Sequence, residues 1–209
     1  MHQKVLSRKS LGLLSRLEKA KAPSLSGWTL SGGTGLALRL GHRTSDDLDF
    51  FRNDALDRDG LHQVFREQGS YEVLQEAEHA MTVISCETKL SFFRIPEPFV
   101  YETTPYRFFK LAATHDIALM KLVAISGRGS RKDFVDLYTI LRGGWSLQEY
   151  FDALPGKYAE GRANSYHILK SLTYFADAER EPMPRMLEPF DWGECKRFFV
   201  REAHAIVLA

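Results

Sequence analysis

Leucines recur at the spacing of an α-helix in the first twenty residues, with charged residues between them. Leu6, Leu13, Leu14 and Leu17 make one apolar stripe, which predicts an amphipathic helix that ends before Pro23. Such a stripe needs a hydrophobic core to cover it. The sequence therefore predicts that this helix packs against the rest of a folded domain.

Short apolar runs separated by turn residues follow this helix. They predict a strand at 27–30, a tight turn at 31–34, a helix at 35–40, a strand at 47–51, a helix at 61–68, and strands at 71–75, 81–85 and 89–95. From residue 115 onward apolar positions recur at helical spacing, in segments 115–126, 131–142, 146–159, 164–174 and 191–207. The pattern is typical of an α+β protein. We expect a small mixed β-sheet core flanked by helices in residues 1–112, and a helical C-terminal region packed on that core in residues 113–209.

Composition and charge limit the classes of protein to which the chain can belong. Of its 209 residues, 44% are hydrophobic and 12% aromatic, which is enough to bury a core and excludes a disordered protein. The 28 basic and 27 acidic residues give a net charge of +1, which excludes general electrostatic capture of nucleic acid but leaves room for a local basic face. Cys86 and Cys195 lie far apart in the sequence, which argues against a disulfide framework and against a C-x-x-C metal site. No run approaches the ~20 apolar residues that span a bilayer, and the N-terminus lacks the apolar core of a signal peptide, so we expect a cytoplasmic protein with no membrane partner.

The stretch Ser31-Gly32-Gly33-Thr34 lies at a predicted strand-to-helix turn. Two glycines there let backbone N–H groups converge on an anion, and the helix N-terminus adds partial positive charge. The Thr34 hydroxyl adds a further donor. A Gly-Gly pair is usually only a turn, but the residues that follow this one favour phosphate binding by Gly32, Gly33 and Thr34.

Two aspartates stand at the start of the next predicted strand. Residues two apart in a strand point to the same side, so Asp47 and Asp49 present both carboxylates together while Asp46 points away. Mg2+ (or Mn2+) prefers carboxylate and phosphate oxygens. Such a pair is often only a solvated strand start, but its spacing after the Gly-Gly turn indicates a metal site that acts on a nucleoside triphosphate. We expect Asp47 and Asp49 to converge beside the turn, as metal ligands and catalytic residues.

The Gly-Gly-Thr turn, the short helix and the Asp-x-Asp strand together resemble the nucleotidyltransferase superfamily with the DNA polymerase beta-like fold. Four segments look more specifically like the AbiEii/AbiGii toxin family of nucleotidyltransferases, namely residues 40–51, 89–93, 120–138 and 174–179. The resemblance spans essentially the whole chain. The long central motif, at 120–138, is its specific part.

This resemblance implies an enzyme that moves a nucleoside monophosphate from a nucleoside triphosphate (NTP) to an acceptor hydroxyl, with Mg2+ as cofactor and pyrophosphate as product. It also implies the toxin of a bacterial toxin–antitoxin pair, with a separately encoded antitoxin as partner. RNA, such as the acceptor end of tRNA, is the acceptor that it favours. A protein hydroxyl is an alternative acceptor, and a binding or regulatory module with weak or no transfer activity is a second alternative. The sequence indicates neither the preferred NTP nor the oligomeric state.

A single lysine interrupts an apolar helix in the central motif. Residues 117–125 are apolar at every position except Lys121. On the residues alone, such a lysine extends its ammonium to water along its own stem. The resemblance implies instead a catalytic, nucleotide-binding lysine, whose charge stabilises the triphosphate as the β-phosphate leaves. We therefore expect its nitrogen to lie in the same cleft as the metal-binding aspartates, with Asp133 or Asp136 nearby.

Asp133 and Asp136 share one face of the next predicted helix, where apolar neighbours argue against full solvation. Lys132 stands at the spacing of a helical ion pair with Asp136, and Arg128 and Arg131 lie beside both acids. The arginines can hold phosphates, a role that we assign to Arg128, or neutralise the acids. We expect an ordered polar network at the edge of the site, with one of the two aspartates catalytic.

One acid of the superfamily pattern is missing. A third carboxylate on a later strand often completes the metal site and accepts the proton of the attacking hydroxyl, but the strand at 89–95 has no acid on the corresponding side. Glu87, Glu97 and Asp136 are the remaining candidates, and the general base stays unassigned.

Arg43 follows His42 just before the Asp-x-Asp strand. It can reach nucleotide phosphates or brace Asp47, and bracing is the favoured role of the two. The histidines are scattered through the chain without the spacing of metal ligands. We therefore expect no histidine in the metal site.

Overall fold

The structure, a computed structural model, describes residues 1–208 and divides into two compact units, Met1–Ala113 and Thr114–Ala209. The division falls one residue after the predicted boundary at residue 112. The first unit holds the β-sheet, and the described part of the second is helical.

The first unit contains three α-helices and seven strands. The helices are α1 (Arg8–Ala20), α2 (Gly32–Leu40) and α3 (Arg58–Gln68), with short 3-10 turns at Gln3–Val5 and Pro23–Leu25. The strands are β1 (Thr29–Leu30), β2 (Leu48–Arg52), β3 (Tyr71–Ala77), β4 (Ala80–Ser85), β5 (Thr88–Arg94), β6 (Thr104–Tyr106) and β7 (Phe109–Leu111). The sequence did not predict β6 and β7, because three residues give too short an alternation and β6 contains Pro105.

The strands form one mixed sheet in the order β3-β4-β5-β2-β1-β7-β6. β2 pairs in parallel with β5 and β1 in parallel with β7, whereas the other neighbours are antiparallel. The α+β class predicted from the sequence is confirmed. Because β2 is the central strand, residues at its ends have neighbours on several strands.

The core of the first unit covers one face of this sheet. Alternation along β2 buries Leu48 and Phe50 completely and leaves Asp49 on the opposite face. The ring of Phe50 stacks on that of Phe92 in β5, with centroids 5.2 Å apart. The amphipathic stripe of α1 joins this core, with three leucines 0% exposed: Leu13, Leu14 and Leu17. Each such side chain stabilises the fold by about 1.5–3 kcal/mol.

Six helices make up the described part of the second unit: α4 (Thr114–Arg128), α5 (Arg131–Leu141), α6 (Leu147–Lys157), α7 (Ser165–Ser171), α8 (Ala176–Arg180) and α9 (Trp192–Ala205). The helix predicted at 164–174 ends earlier, at Ser171, and the five-residue α8 was not predicted because it is shorter than two turns. In the described residues, every helix is too short or too polar to cross a membrane.

Aromatic packing fixes α5 within the second unit. The ring of Phe134 lies 5.1 Å from that of Phe175 and 5.4 Å from that of Phe199, between centroids. This side of α5 is therefore anchored by apolar contacts. Asp133 and Asp136, on another side of α5, contact α4.

Candidate functional site

The turn between β1 and α2 brings backbone N–H groups to the end of the central strands. Ser31 precedes α2, and its side chain makes no capping bond to the first turn of the helix. Gly32 has a φ of +62°, a left-handed conformation that costs other L-residues roughly 1–2 kcal/mol. The N-terminus of this nine-residue helix is therefore suited to an anion bound from outside the helix.

Asp49 lies directly against this turn. The Ser31 N–H donates to the Asp49 carbonyl oxygen at 3.0 Å. A Cβ atom placed on Gly32 would lie 3.0 Å from Asp49 Oδ2, so glycine leaves the space that the carboxylate uses. The carboxylate of Asp49 and the anion-binding turn are thus parts of one site.

Asp47 immediately precedes β2 and is held through its backbone. Thr34 Oγ1 donates to the Asp47 carbonyl oxygen and lies 2.8 Å from Ser45 Oγ. Thr34 is 1% exposed, so its hydroxyl ties the Asp47 loop to α2, a role that the sequence did not indicate. Asp46 turns to α1 instead, where its Oδ1 accepts from the Ser7 N–H at 2.9 Å.

Arg43 packs against the second glycine of the turn. It is 4% exposed, its Nη1 donates to the Thr44 carbonyl at 3.0 Å, and a Cβ atom on Gly33 would overlap its Nη2. Gly33 is therefore required by the guanidinium itself. A guanidinium and a helix N-terminus, both positive, meet here, which is favourable only beside negative charge such as a carboxylate or a phosphate.

A serine occupies the position beside Asp49 where the superfamily often has a third carboxylate. Asp49 is opposite Ser91 in the parallel pairing of β2 and β5, and Ser91 is opposite Thr82 in the pairing of β4 and β5. Thr82 Oγ1 donates to Ser91 Oγ at 3.3 Å, and both residues are buried. The strand register thus confirms that no acid stands next to Asp49 on β5.

The three candidates for the general base lie in different surroundings. Glu87, at the β4–β5 turn, is paired with Lys9 and has a side chain 75% exposed. The carbonyl of Glu97 accepts from Asn53 Nδ2 at 3.1 Å, and Asp136 is buried in the second unit. The role stays a prediction for all three.

Carboxylates are too few at this site to enclose a metal by themselves. Residues 1–208 contain no group of three or more His, Cys, Asp or Glu side chains that could hold a metal ion. Mg2+ keeps several waters and is commonly bound by one or two carboxylates together with substrate phosphates. Asp47 and Asp49, combined with phosphates at the N-terminus of α2, fit that donor set.

A second cluster of charges lies inside the second unit. Lys121 Nζ in α4 is 2.6 Å from Asp133 Oδ1 and 2.6 Å from Asp136 Oδ2, both in α5. Arg128 donates from Nε to Asp133 Oδ2 at 2.6 Å and from Nη2 to Oδ1 at 3.0 Å. Both aspartates are 0% exposed and Lys121 is 4% exposed. Two carboxylates are therefore balanced by two cations, the buried Lys121 and the exposed Arg128.

Burial and charge act in opposite directions on these groups. Burial alone would lower the pKa of Lys121, but the charges of Asp136 and Asp133 outweigh it and raise that pKa above its ordinary value. Burial alone would raise the pKa of Asp133, but the charge of Lys121 and the bonds from Arg128 lower that pKa overall. Lys121 and Asp133 are therefore both charged at neutral pH.

The cluster shows which groups Lys121 and the two arginines contact. The ammonium of Lys121 stays among carboxylates, so the alternative in which it extends to water is wrong. The predicted proximity to Asp133 or Asp136 is confirmed, and the lysine contacts both. Arg128 neutralises an acid, whereas Arg131 donates from Nε to the carbonyl of Ala178 at 2.7 Å. A common cleft for Lys121 and the two aspartates predicted to bind metal stays a prediction.

Comparison with known proteins identifies the family. The model of the nucleotidyl transferase AbiEii toxin family, from a type IV toxin–antitoxin system, matches residues 13–95. An uncharacterized protein of Aquifex aeolicus (strain VF5) is 36% identical over 178 residues, which cover 83% of this chain and 84% of that protein. The matched range contains the Gly-Gly turn, both aspartates and the strand register around them.

Solved structures share the fold at low sequence identity. A candidate nucleotidyltransferase from H. pylori is 16% identical and has a TM-score of 0.54, with 95% of each chain covered. The nucleotidyltransferase toxin MenT4 of Mycobacterium tuberculosis H37Rv is 13% identical and has a TM-score of 0.50, with 97% of this chain and 88% of that chain covered. The family model and the relative identify the chain, and the solved structures share its fold: this chain belongs to the AbiEii family of nucleotidyltransferase toxins.

Proposed function

We propose that this nucleotidyltransferase depends on Mg2+ (or Mn2+) and transfers a nucleoside monophosphate from an NTP to a hydroxyl of RNA, with the acceptor end of tRNA as the favoured acceptor. The contact of Asp49 with Gly32 carries the proposal, because a carboxylate suited to a metal there lies against a helix N-terminus suited to phosphates. The family's toxin–antitoxin system supports a toxin role with a separately encoded antitoxin as partner. NTPs and tRNA occur together in the cytoplasm, which supports action there.

The N-terminus of α2 is the proposed holder of the triphosphate. The N–H groups of Gly32, Gly33 and Thr34 lie in the first turn of the helix, where they are suited to phosphate oxygens. Arg43, packed against Gly33, adds a fixed positive charge that can brace Asp47 or face a phosphate. These contacts orient the NTP for attack at its α-phosphorus.

Asp47 and Asp49 are the proposed metal ligands. When bound, Mg2+ supplies Lewis acidity at the reacting phosphoryl oxygen and makes the acceptor hydroxyl more acidic. Ser91 beside Asp49 supplies a hydroxyl where a carboxylate could have accepted the proton. The acceptor proton therefore leaves to solvent or to one of the acids named above.

Lys121 is proposed to act through the cluster around it. It holds Asp133, and Asp133 holds the guanidinium of Arg128, whose side chain is 60% exposed. A guanidinium fixed by a bidentate carboxylate presents its donors in one orientation, which suits phosphate recognition. We therefore assign phosphate binding to Arg128, a positioning role to Lys121, and support of Lys121 to Asp136.

Transfer assays with each labelled NTP, Mg2+, and either total tRNA or total protein test the proposal. We expect label in RNA, loss of label with a chelator, and at least about 100-fold slower transfer by Asp49→Asn with an unchanged unfolding midpoint. Asp54→Asn, an exposed carboxylate just beyond β2, is the matched control and should transfer like the wild type. Label in protein alone would replace RNA by a protein hydroxyl as acceptor. Wild-type transfer by Asp49→Asn would refute the site.

A further inference from the structure

Positive charge is concentrated at the start of the chain. The first 21 residues contain six basic residues and one acid, Glu18, which leaves 22 basic and 26 acidic residues elsewhere, a net charge of −4. All six basic residues are exposed: Lys4, Arg8, Lys9, Arg16, Lys19 and Lys21. A chain of nearly zero net charge thus presents one strongly basic surface.

Four residues of α1 form a continuous line on its outer side. Arg8, Gly12, Arg16 and Lys19 recur every three or four residues and are exposed; we call them the basic stripe. At ~1.5 Å per residue the stripe is about 16 Å long, which is long enough to meet several phosphates of one nucleic-acid strand. The apolar side of α1 is buried in the core, so the helix has no apolar face to insert into a membrane surface.

Helix α3 is a matched comparison, because it is an amphipathic helix of the same unit with a glycine of its own. Helix α3 has two basic and two acidic residues, whereas α1 has four basic residues and one acidic residue. A Cβ atom on Gly60 would overlap the Asp57 carboxylate, so packing explains that glycine. A Cβ atom on Gly12 would meet nothing within 4 Å. Packing does not explain Gly12, although glycine in a helix interior costs about 1 kcal/mol relative to alanine.

The basic stripe begins at the loop that carries Asp47. The Ser7 N–H, just before the stripe, donates to Asp46 Oδ1 at 2.9 Å. The Ser45 N–H donates to the Val5 carbonyl at 3.1 Å. A polyanion whose end lies at Asp47 can therefore continue along α1.

We propose that the basic stripe binds the phosphodiester backbone of the acceptor RNA, next to the end that receives the nucleotide. This proposal rests on RNA being the acceptor. Arg8, Arg16 and Lys19 contact phosphates, and Gly12 keeps the middle of the stripe flat, so that the backbone approaches the helix between the two arginines. A nucleic-acid backbone carries a negative charge at every nucleotide, so one strand can meet Arg8, Arg16 and Lys19 together although they are unevenly spaced.

Fluorescence anisotropy with labelled tRNA, at several KCl concentrations, measures the contribution of the stripe. We expect the double variant Arg8→Gln/Arg16→Gln to bind about tenfold more weakly, with a salt slope smaller by about 0.7–0.9 for each phosphate that the variant no longer neutralises. The control is Arg58→Gln/Arg66→Gln, which removes two arginines at the same spacing from α3 and should bind like the wild type. Equal tRNA affinity of the two double variants would overturn the proposal.

Gly12→Gln separates binding from folding. A glutamine improves helix propensity where the space is empty, so the unfolding midpoint should rise, while the side chain obstructs the RNA backbone and lowers tRNA affinity severalfold. A raised midpoint with wild-type tRNA affinity would contradict the role of Gly12. Binding to phosphatidylglycerol vesicles or to polyglutamate that depends on Arg8 and Arg16, without tRNA binding, would also overturn the proposal.

Failure of this inference can be told from failure of the proposed function. Asp49→Asn should lose transfer and keep wild-type tRNA affinity. Transfer to tRNA, together with equal binding by both double variants, would refute the stripe alone. Transfer to protein alone would refute the RNA acceptor and the stripe with it.

Discussion

Replacing Lys121 by Met tests whether charge holds the buried cluster of α4 and α5 together. Lys121 Nζ lies 2.6 Å from one oxygen of Asp133 and 2.6 Å from one of Asp136, and both aspartates are 0% exposed. Methionine keeps most of the apolar stem, but the two carboxylates lose the cation that they share. Removing one partner of a buried ion pair costs about 3–5 kcal/mol. We expect the free energy of unfolding to fall by that amount.

Thermal and urea unfolding followed by circular dichroism measure the loss. At about 2–4 °C per kcal/mol for a chain of this size, the unfolding midpoint should fall by roughly 6–20 °C. The matched control is Lys132→Met, an exposed lysine in the same helix as the aspartates, which should change stability by less than about 0.5 kcal/mol. Combining Lys121→Met with Asp136→Asn leaves Asp133 paired with Arg128, so this double variant should recover at least about 1 kcal/mol.

The loss should also depend on pH. The pKa of Asp133 is lowered by folding, so its contribution is present above its ordinary pKa and is lost as the pH falls through the lowered value. The pKa of Lys121 is raised, so its contribution is intact below its ordinary value and is lost only in strong alkali. In Lys121→Met the carboxylates instead protonate more readily on folding. The difference between variant and wild type should therefore shrink as the pH falls from 7 towards 4.

One result would refute this reasoning. If Lys121→Met unfolds within about 1 kcal/mol of the wild type at pH 7 and loses NTP binding by calorimetry, the lysine serves the triphosphate directly and not the fold. If the double variant with Asp136→Asn regains stability without regaining transfer, the positioning role of Lys121 stands.

Two further predictions concern the first unit. Gly33→Ala should displace the Arg43 guanidinium and weaken NTP binding, measured by calorimetry, by about tenfold. The control is Gly127→Ala, whose added methyl group meets nothing within 4 Å and should leave NTP affinity unchanged. Equal NTP affinity in both variants would contradict the contact between Arg43 and position 33. Mn2+ binding, followed by electron paramagnetic resonance, should be weak without nucleotide and tighter when a non-hydrolysable NTP analogue is added, because two carboxylates supply only part of the coordination shell. Identical Mn2+ affinity with and without the analogue would count against a site made of two carboxylates and substrate phosphates.

Long periodic segments allowed the fold to be predicted from the sequence. The apolar alternation of β2 and β5 and the leucine stripe of α1 specify both the type of element and the buried face. β6 and β7 were missed because they have three residues each and gain their pairing from neighbours that are distant in sequence. Local pattern therefore predicted the elements that carry the core, and failed where tertiary pairing alone makes a strand.

The candidate site, like the fold, could be predicted from local sequence pattern only in part. Asp49 was placed beside the Gly32-Gly33 turn because strand alternation and one short helix determine that geometry. The close approach of the Arg43 guanidinium to Gly33 was not predicted, because the two residues are ten positions apart in the sequence. Helical spacing suggested Lys132 as the ion-pair partner of Asp136. The pairing of Asp136 with Lys121 depends on how α5 packs on α4, and the predicted proximity of an aspartate to Lys121 did not come from spacing. Sequence periodicity predicts the face of an element on which a side chain lies, whereas tertiary packing determines which residue that side chain contacts.

Three positions break local rules that favour stability, and each has a charged neighbourhood. Gly12 weakens a helix in which nothing occupies the space of a Cβ atom, Gly33 admits a cation to a helix N-terminus, and Lys121 puts a charge inside an apolar helix. Selection for folding alone would favour alanine at position 12 and an apolar residue at position 121. Departures of this kind are expected where a chain binds a ligand or does chemistry. Gly12 lies on the helix that contacts the Asp47 loop, and Gly33 follows Gly32, which lies against Asp49. The two departures in the first unit therefore flank the candidate site, as the proposed polyanionic acceptor would require.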